Sequence, residues 1–167
     1  MNLLELATKR YSVRGYEDKL VQDEDLQYIM ECVRMAPSAV NKQPLRYLVC
    51  QSAEALSKVR QCYDRDWFTT APMVVICVIE HNEEWVRGDG HQHGIVDVSI
   101  AAEHLCLAAT ERGLGSCWVC NFDAKLCHEL FNLSESQEAA VFVPLGYATT
   151  EPSVKKRKAM SEIVTIL

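Results

Sequence analysis

The run Pro72-Met-Val-Val-Ile-Cys-Val-Ile79 constrains this chain more than any other stretch. It is rich in β-branched residues and apolar on both alternating faces, so it reads as a strand buried on both sides, at the centre of a sheet. Ala139–Tyr147 reads as a second buried strand, and Arg46–Cys50 as a shorter one. A sheet covered on both faces needs helices to cover it. From Asp23, read as the N-cap, apolar residues fall at Leu26, Ile29, Met30 and Val33, one face of a helix that Pro37 stops. Ser52 is placed to cap a helix running to Cys62, and Asp123 one running to about Phe131. Gly94–Arg112 reads as a long helix ended by Gly113 and Gly115. Its apolar residues spread around the axis, which fits either a central helix or one packed across a subunit interface. Helices and strands alternate, favouring α/β or α+β.

The 167 residues suit a single domain spanning 1–167, and 49% hydrophobic with 24% charged residues is a globular composition. A net charge of −6 argues against a nucleic-acid or anionic-membrane binder held by bulk charge. The longest strongly apolar run is Pro72–Ile79, far short of the roughly 20 residues a membrane span needs. Of the eight cysteines, Cys32, Cys50, Cys77 and Cys106 fall in apolar runs, where a reduced thiol packs as a small hydrophobe. No secretory leader pattern opens the chain, and a reducing cytoplasm is the expected location.

Four constellations could carry chemistry. In Arg10-Tyr-Ser-Val-Arg14, two guanidiniums and a hydroxyl sit at alternate positions of an extended segment and point the same way, a set suited to a phosphate or a polar heterocycle. Pro37-Ser-Ala-Val-Asn-Lys-Gln-Pro44 is a loop stiffened by two prolines, and Ser38, Asn41 and Gln43 could pair with a uracil-like edge. Gly113-Leu-Gly-Ser-Cys-Trp118 is a glycine turn leading into an aromatic strand. It follows a helix and matches neither the dinucleotide fingerprint nor the P-loop. Finally, Lys155-Lys-Arg-Lys158 puts four positive charges in the tail and leaves −10 for the rest, so it is either a solvated tail or an anion site.

The order of these motifs carries a further meaning. R-x-S-x-R from Arg10, P-S-A-x-N-x-Q-P from Pro37, D-x-x-x-A-x-x-x-L-x-L-A-A-x-x-x-G-L-G-S-x-W from Asp97, P-L-G-Y from Pro144 and K-x-R from Lys155 together resemble the nitroreductase family of flavoproteins, from Arg10 to Val164. The resemblance implies an α+β three-layer sandwich, with a mainly antiparallel central sheet flanked by helices. It also implies an intertwined homodimer with FMN at the subunit interface. By the same resemblance Arg10, Ser12, Lys155 and Arg157 hold the phosphate, and Arg14 faces the flavin pyrimidine. Pro37, Ser38 and Ala39 come from the other subunit, with Asn41 and Gln43 as their polar continuation. The strand after Trp118, with Cys120 and Asn121, turns its backbone to flavin N5. No catalytic side chain is needed, because the cofactor carries the hydride. The expected activity is ping-pong hydride transfer from NADH or NADPH to a small-molecule acceptor such as a nitroaromatic or quinone. The alternatives are a specialised flavin reductase or dehydrogenase, or a flavin-binding protein without turnover.

This sequence departs from the family pattern twice. Leu45 stands where an aromatic residue commonly follows the second proline, and Cys120-Asn121 precedes Phe122-Asp123 where a glycine is frequent. Asparagine is expected to supply the left-handed turn in the glycine's place. Cys117-Trp-Val-Cys120 makes a C-x-x-C whose positions, three apart on a strand, point to opposite faces; the reading is structural, with a redox role for Cys120 as the alternative. Residues 80–93 read as a loop or lid, and His91 and His93 within it as surface or lid residues rather than metal ligands.

Overall fold

In the computed structural model, which describes residues 1–167, a four-stranded antiparallel sheet in the order β1-β2-β4-β3 is formed by β1 (Leu45–Cys50), β2 (Met73–Glu80), β3 (Gly115–Ser116) and β4 (Gln137–Gly146). The strand read as the sheet's centre is β2, paired on both sides. Its period-two alternation divides the interior in two. Met73, Val75, Cys77 and Ile79 face one cluster, and Val74, Ile76 and Val78 face the other.

The first cluster is closed by α2 (Asp23–Arg34) and α5 (Gly94–Glu111), through Ile29, Val33, Val98, Ala101, Ala102 and Leu105. The second is closed by α3 (Ala53–Cys62), the short α4 (Asp66–Thr69) and α6 (Ala124–Leu130), through Leu56, Val59, Phe68 and Cys127, with Val13 and Tyr16 from the N-terminal segment. The result is three layers, as the resemblance implies. An irregularity at Cys77/Val78 shifts the register against β4, so that Val141, Val143 and Leu145 face the first cluster while both Ala139 and Phe142 face the second.

Ser52 and Asp123 cap α3 and α6 as expected, accepting the Ala55 and Leu126 N–H groups. At α2 the expectation is off by one residue. Gln22 is the N-cap, without a side-chain bond, and Asp23 opens the first turn together with Glu24 and Asp25, where negative charge suits the helix end. On α5, Val98, Ala101, Ala102 and Leu105 are fully buried, whereas Ile95 and Val96 are about half exposed. Two more helices, α1 (Leu3–Lys9) and α7 (Met160–Ile163), lie at the chain ends. No helix is long and apolar enough to cross a membrane.

Candidate functional site

The Arg10–Arg14 segment leaves the end of α1 extended and runs beside β3. The Val13 N–H donates to the Ser116 carbonyl at 3.0 Å, and the Val13 side chain is fully buried. Gly115 makes this approach possible, because a Cβ there would stand 2.6 Å from Val13 Cγ2. With Val13 turned inward, Arg10, Ser12 and Arg14 fall on the other side. They converge on Cys117: burial pushes its thiol up, while the Arg14 charge, the Ser12 hydroxyl and the Arg10 charge pull it down. Arg10 Nε lies 3.5 Å from Glu103 Oε1, and Glu103 Oε2 accepts the Trp118 indole N–H at 3.2 Å. The Arg14 guanidinium stands 5.9 Å from the Trp67 ring centre.

The tail reaches the same corner. Lys155 Nζ donates to the carbonyls of Ala7, Thr8 and Arg10, the open end of α1. Desolvation, then the Arg10 and Arg157 charges, lower the Lys155 pKa. Lys155 therefore meets Arg10, and it feels the charge of Arg157 as well. The ammonium of Lys155, however, is committed to helix carbonyls, so it ties the tail down as well as adding charge. Arg157 Nη1 donates to the Lys156 carbonyl at 3.0 Å and is exposed. Three cations gathered against one half-exposed carboxylate fit a phosphate dianion, which would relieve their mutual repulsion.

The Pro37–Pro44 loop forms a single 3-10 turn over Ala39–Asn41. Val40, Asn41 and Gln43 have φ of 52°, 56° and 54°, left-handed conformations that are costly for a β-branched residue such as Val40. Bonds within the loop hold this shape. Ser38 Oγ accepts the Gln43 N–H at 2.8 Å, the Lys42 N–H donates to the Ala39 carbonyl at 3.1 Å, and Gln43 Nε2 donates to the Asn41 carbonyl at 3.4 Å. Ser38 and Gln43 thus engage part of their polar capacity within the loop itself. Asp97 Oδ1 on α5 accepts the Ala39 N–H at 2.9 Å. The 240 Å³ depression beside the loop is lined by Pro37, Ser38, Gln43 and Tyr47 among others, and includes none of Arg10, Ser12 or Arg14.

Beyond Trp118, the Val119 N–H and C=O both pair with Phe142, at 3.0 and 2.9 Å. Cys117 is buried and Cys120 exposed. Desolvation raises the Cys120 thiol, which lowers its thiolate fraction and weakens the redox alternative. Asn121 is exposed but not left-handed, so the turn expected there is not made. In the 81–93 loop, His93 packs edge-on to Trp85 at 4.7 Å and to His91 at 5.1 Å. The roles of Asp97 and Glu103 escape sequence reading. The one available signal is that Asp97 opens the family-like motif and lies among apolar neighbours, Ile95, Val96 and Val98.

A doubly covered antiparallel sheet with cations gathered at its β3 edge and a strained, proline-bounded loop bonded to its long helix defines an α+β sandwich class. The chain belongs to the nitroreductase family, whose model matches residues 7–62 and 54–147. A solved nitroreductase family protein from Clostridium difficile 630 superposes with a TM-score of 0.93 at 36% identity, covering 99% of this chain and 98% of that one. An FMN-dependent nitroreductase from Clostridium difficile R20291 superposes at 0.79 with 25% identity, covering 96% and 94%. A Methanothermobacter thermautotrophicus protein with the provisional name NADH dehydrogenase/NAD(P)H nitroreductase is 28% identical over 160 residues, 93% of this chain and 82% of its own length.

Proposed function

We propose that this protein is an FMN-dependent oxidoreductase that accepts hydride from NADH or NADPH and delivers it to a small-molecule acceptor such as a nitroaromatic or quinone. The observation that carries this reading is the gathering of Arg10, Ser12 and Arg14 on one side of the segment beside β3, with Lys155 of the tail held at Arg10 and Arg157 close to Lys155. FMN in one relative's name and NAD(P)H in another's support the cofactor and the donor. When bound, FMN supplies a hydride acceptor and donor at N5. Arg10, Ser12 and Arg157 bind its phosphate, and Lys155 keeps the tail in place and adds charge. Arg14 faces the pyrimidine and favours negative charge there. Pro37, Ser38 and Ala39, with Asn41 and Gln43 beyond them, lie against the flavin of a second subunit. The backbone at Cys120 and Asn121 borders N5.

The homodimer in this proposal has support in the apolar surface that the chain leaves uncovered. Leu3, Leu4, Ile95 and Val96 are exposed, and a 490 Å³ groove is lined by Leu6, Cys32, Ile100 and Leu107 among others. The test is to purify the protein, saturate it with FMN and titrate it anaerobically with NADH and with NADPH. Loss of the yellow flavin absorbance with either donor is expected. Flavin that stays oxidised with both would leave a binding protein without turnover, and protein that takes up no FMN would remove the proposal altogether.

A further inference from the structure

Asp97 is a polar side chain in α5 that the proposed function leaves unused. It is 2% exposed, in the first turn of the helix, next to the fully buried Val98. Oδ1 accepts the Ala39 N–H at 2.9 Å, and Oδ2 is buried with no hydrogen-bond partner. An unpartnered buried oxygen is costly. That cost falls where the helix bonds directly to the Pro37–Pro44 loop.

The loop makes this bond consequential. Three of its residues are left-handed, and such a backbone persists only where its surroundings over-determine it. The contacts of Ser38, Ala39, Asn41, Lys42 and Gln43 with one another fix the loop's shape. They do not fix where that shape stands on the protein, and the Ala39-to-Asp97 bond does. The helix turn that carries Asp97 is itself clamped, since the Gly94 N–H donates to Glu84 Oε2 at 2.5 Å and the Asp97 N–H to the His93 carbonyl at 3.1 Å.

We propose that Asp97 is a positioning residue: through the Ala39 N–H it sets where Pro37, Ser38 and Ala39 stand, and so how they meet the flavin of the partner subunit, without touching the cofactor. This rests on the proposed function. Its anchoring half, the hold of Asp97 on the loop, can be read without flavin.

The experiment compares wild type with Asp97→Ala and Asp97→Asn, whose amide oxygen can still accept the Ala39 N–H. Tryptic cleavage after Lys42 in the FMN-free protein reads the anchoring, and the FMN dissociation constant reads the positioning. Oligomeric state and thermal midpoint, measured in parallel, select the variants that remain assembled and folded. Asp97→Ala should be cut after Lys42 about tenfold faster and bind FMN about tenfold more weakly, the scale of one lost hydrogen bond, while Asp97→Asn stays close to wild type in both. Asp97→Ala that matches wild type in both readouts, or Asp97→Asn as impaired as Asp97→Ala, would overturn the inference. If Asp97→Ala does not fold, Ala39→Pro removes the donor at the first position of the turn, where proline is tolerated, and must show the same two changes; wild-type behaviour would overturn the inference there too. Wild-type protein that takes up no FMN overturns the proposed function instead, while the cleavage rates still decide the anchoring.

Discussion

The Arg10–Arg14 segment and the Pro37–Gln43 loop both lean on α5, one through Glu103 and the other through Asp97, yet they are built in opposite ways. The segment has ordinary extended backbone, seated by the Val13–Ser116 pairing and a buried valine, and what it presents is charge. The loop presents little net charge. It is held in three left-handed conformations by bonds to itself and to one buried carboxylate, and what it presents is shape. Losing a cation from the segment should therefore change affinity for an anion with little change in fold. Changing the loop should alter stability and position first.

The largest effect is expected where both regions depend on the same support. Phe142 is fully buried and stacks on Phe122 with ring centres 3.8 Å apart. Phe142→Ala should cost about 3–5 kcal/mol in denaturant unfolding and impair segment and loop together. If only one suffers, they do not share the sheet as a common base. Next, Arg10→Ala should weaken FMN binding by about 1.5–3 kcal/mol while the thermal midpoint hardly moves. A fall in stability as large as the fall in affinity would erase the contrast drawn for the segment.

Val40 offers the reverse test. It is 75% exposed and left-handed, so Val40→Gly removes a strain of roughly 1–2 kcal/mol and adds roughly 0.5–1 kcal/mol of backbone entropy. A net stabilisation of about 0.5–1 kcal/mol is expected in thermal unfolding, and destabilisation would show that the loop is not strained.

The smallest expected effect is a pH dependence confined to the loop's end of α5. His81 lies 2.6 Å from Glu84 and 2.8 Å from Glu138, and Glu84 also accepts the Gly94 N–H at the start of α5. The hydrogen bond to Glu84 chiefly, and that to Glu138 also, raise the His81 pKa above its ordinary value. A raised histidine pKa adds stability that is fully present below the unfolded value, about 6.5, and fades as pH rises through the folded one. Wild type should thus lose more stability than His81→Gln between pH 6 and 8.5. Cleavage after Lys42 should quicken with pH more in wild type than in the variant. Equal pH profiles would remove His81 from the support of the helix turn.

Much of this architecture is legible in residue patterns. Met73–Ile79 could only be a doubly buried strand, because no residue in it tolerates water on either face. Ser52 and Asp123 mark helix starts by chemistry that acts within three residues. The alternation of Arg10, Ser12 and Arg14 foretells their common side, since an extended backbone permits nothing else. Asn121 shows where such inference stops. A residue that tolerates the left-handed region need not adopt it, and here the strain sits at Val40, Asn41 and Gln43 instead. Ser38 and Gln43 look like ligand-binding groups in sequence, and sequence does not reveal that they also bond to the loop's own N–H and C=O groups.

The chain by itself determined the central strand, the helix whose apolar residues spread around its axis and the set of cations, because each follows from local periodicity or from residue chemistry; the three layers followed from the family resemblance. Only the tertiary structure decided that Lys155 closes the end of α1, that Glu103 ties Arg10 to Trp118, and that Asp97 holds the loop at Ala39. These pairings join residues 145, 93, 15 and 58 positions apart. No short-range rule of spacing or propensity selects one such partner over another until the packing of α5 against the sheet has brought them within hydrogen-bonding reach.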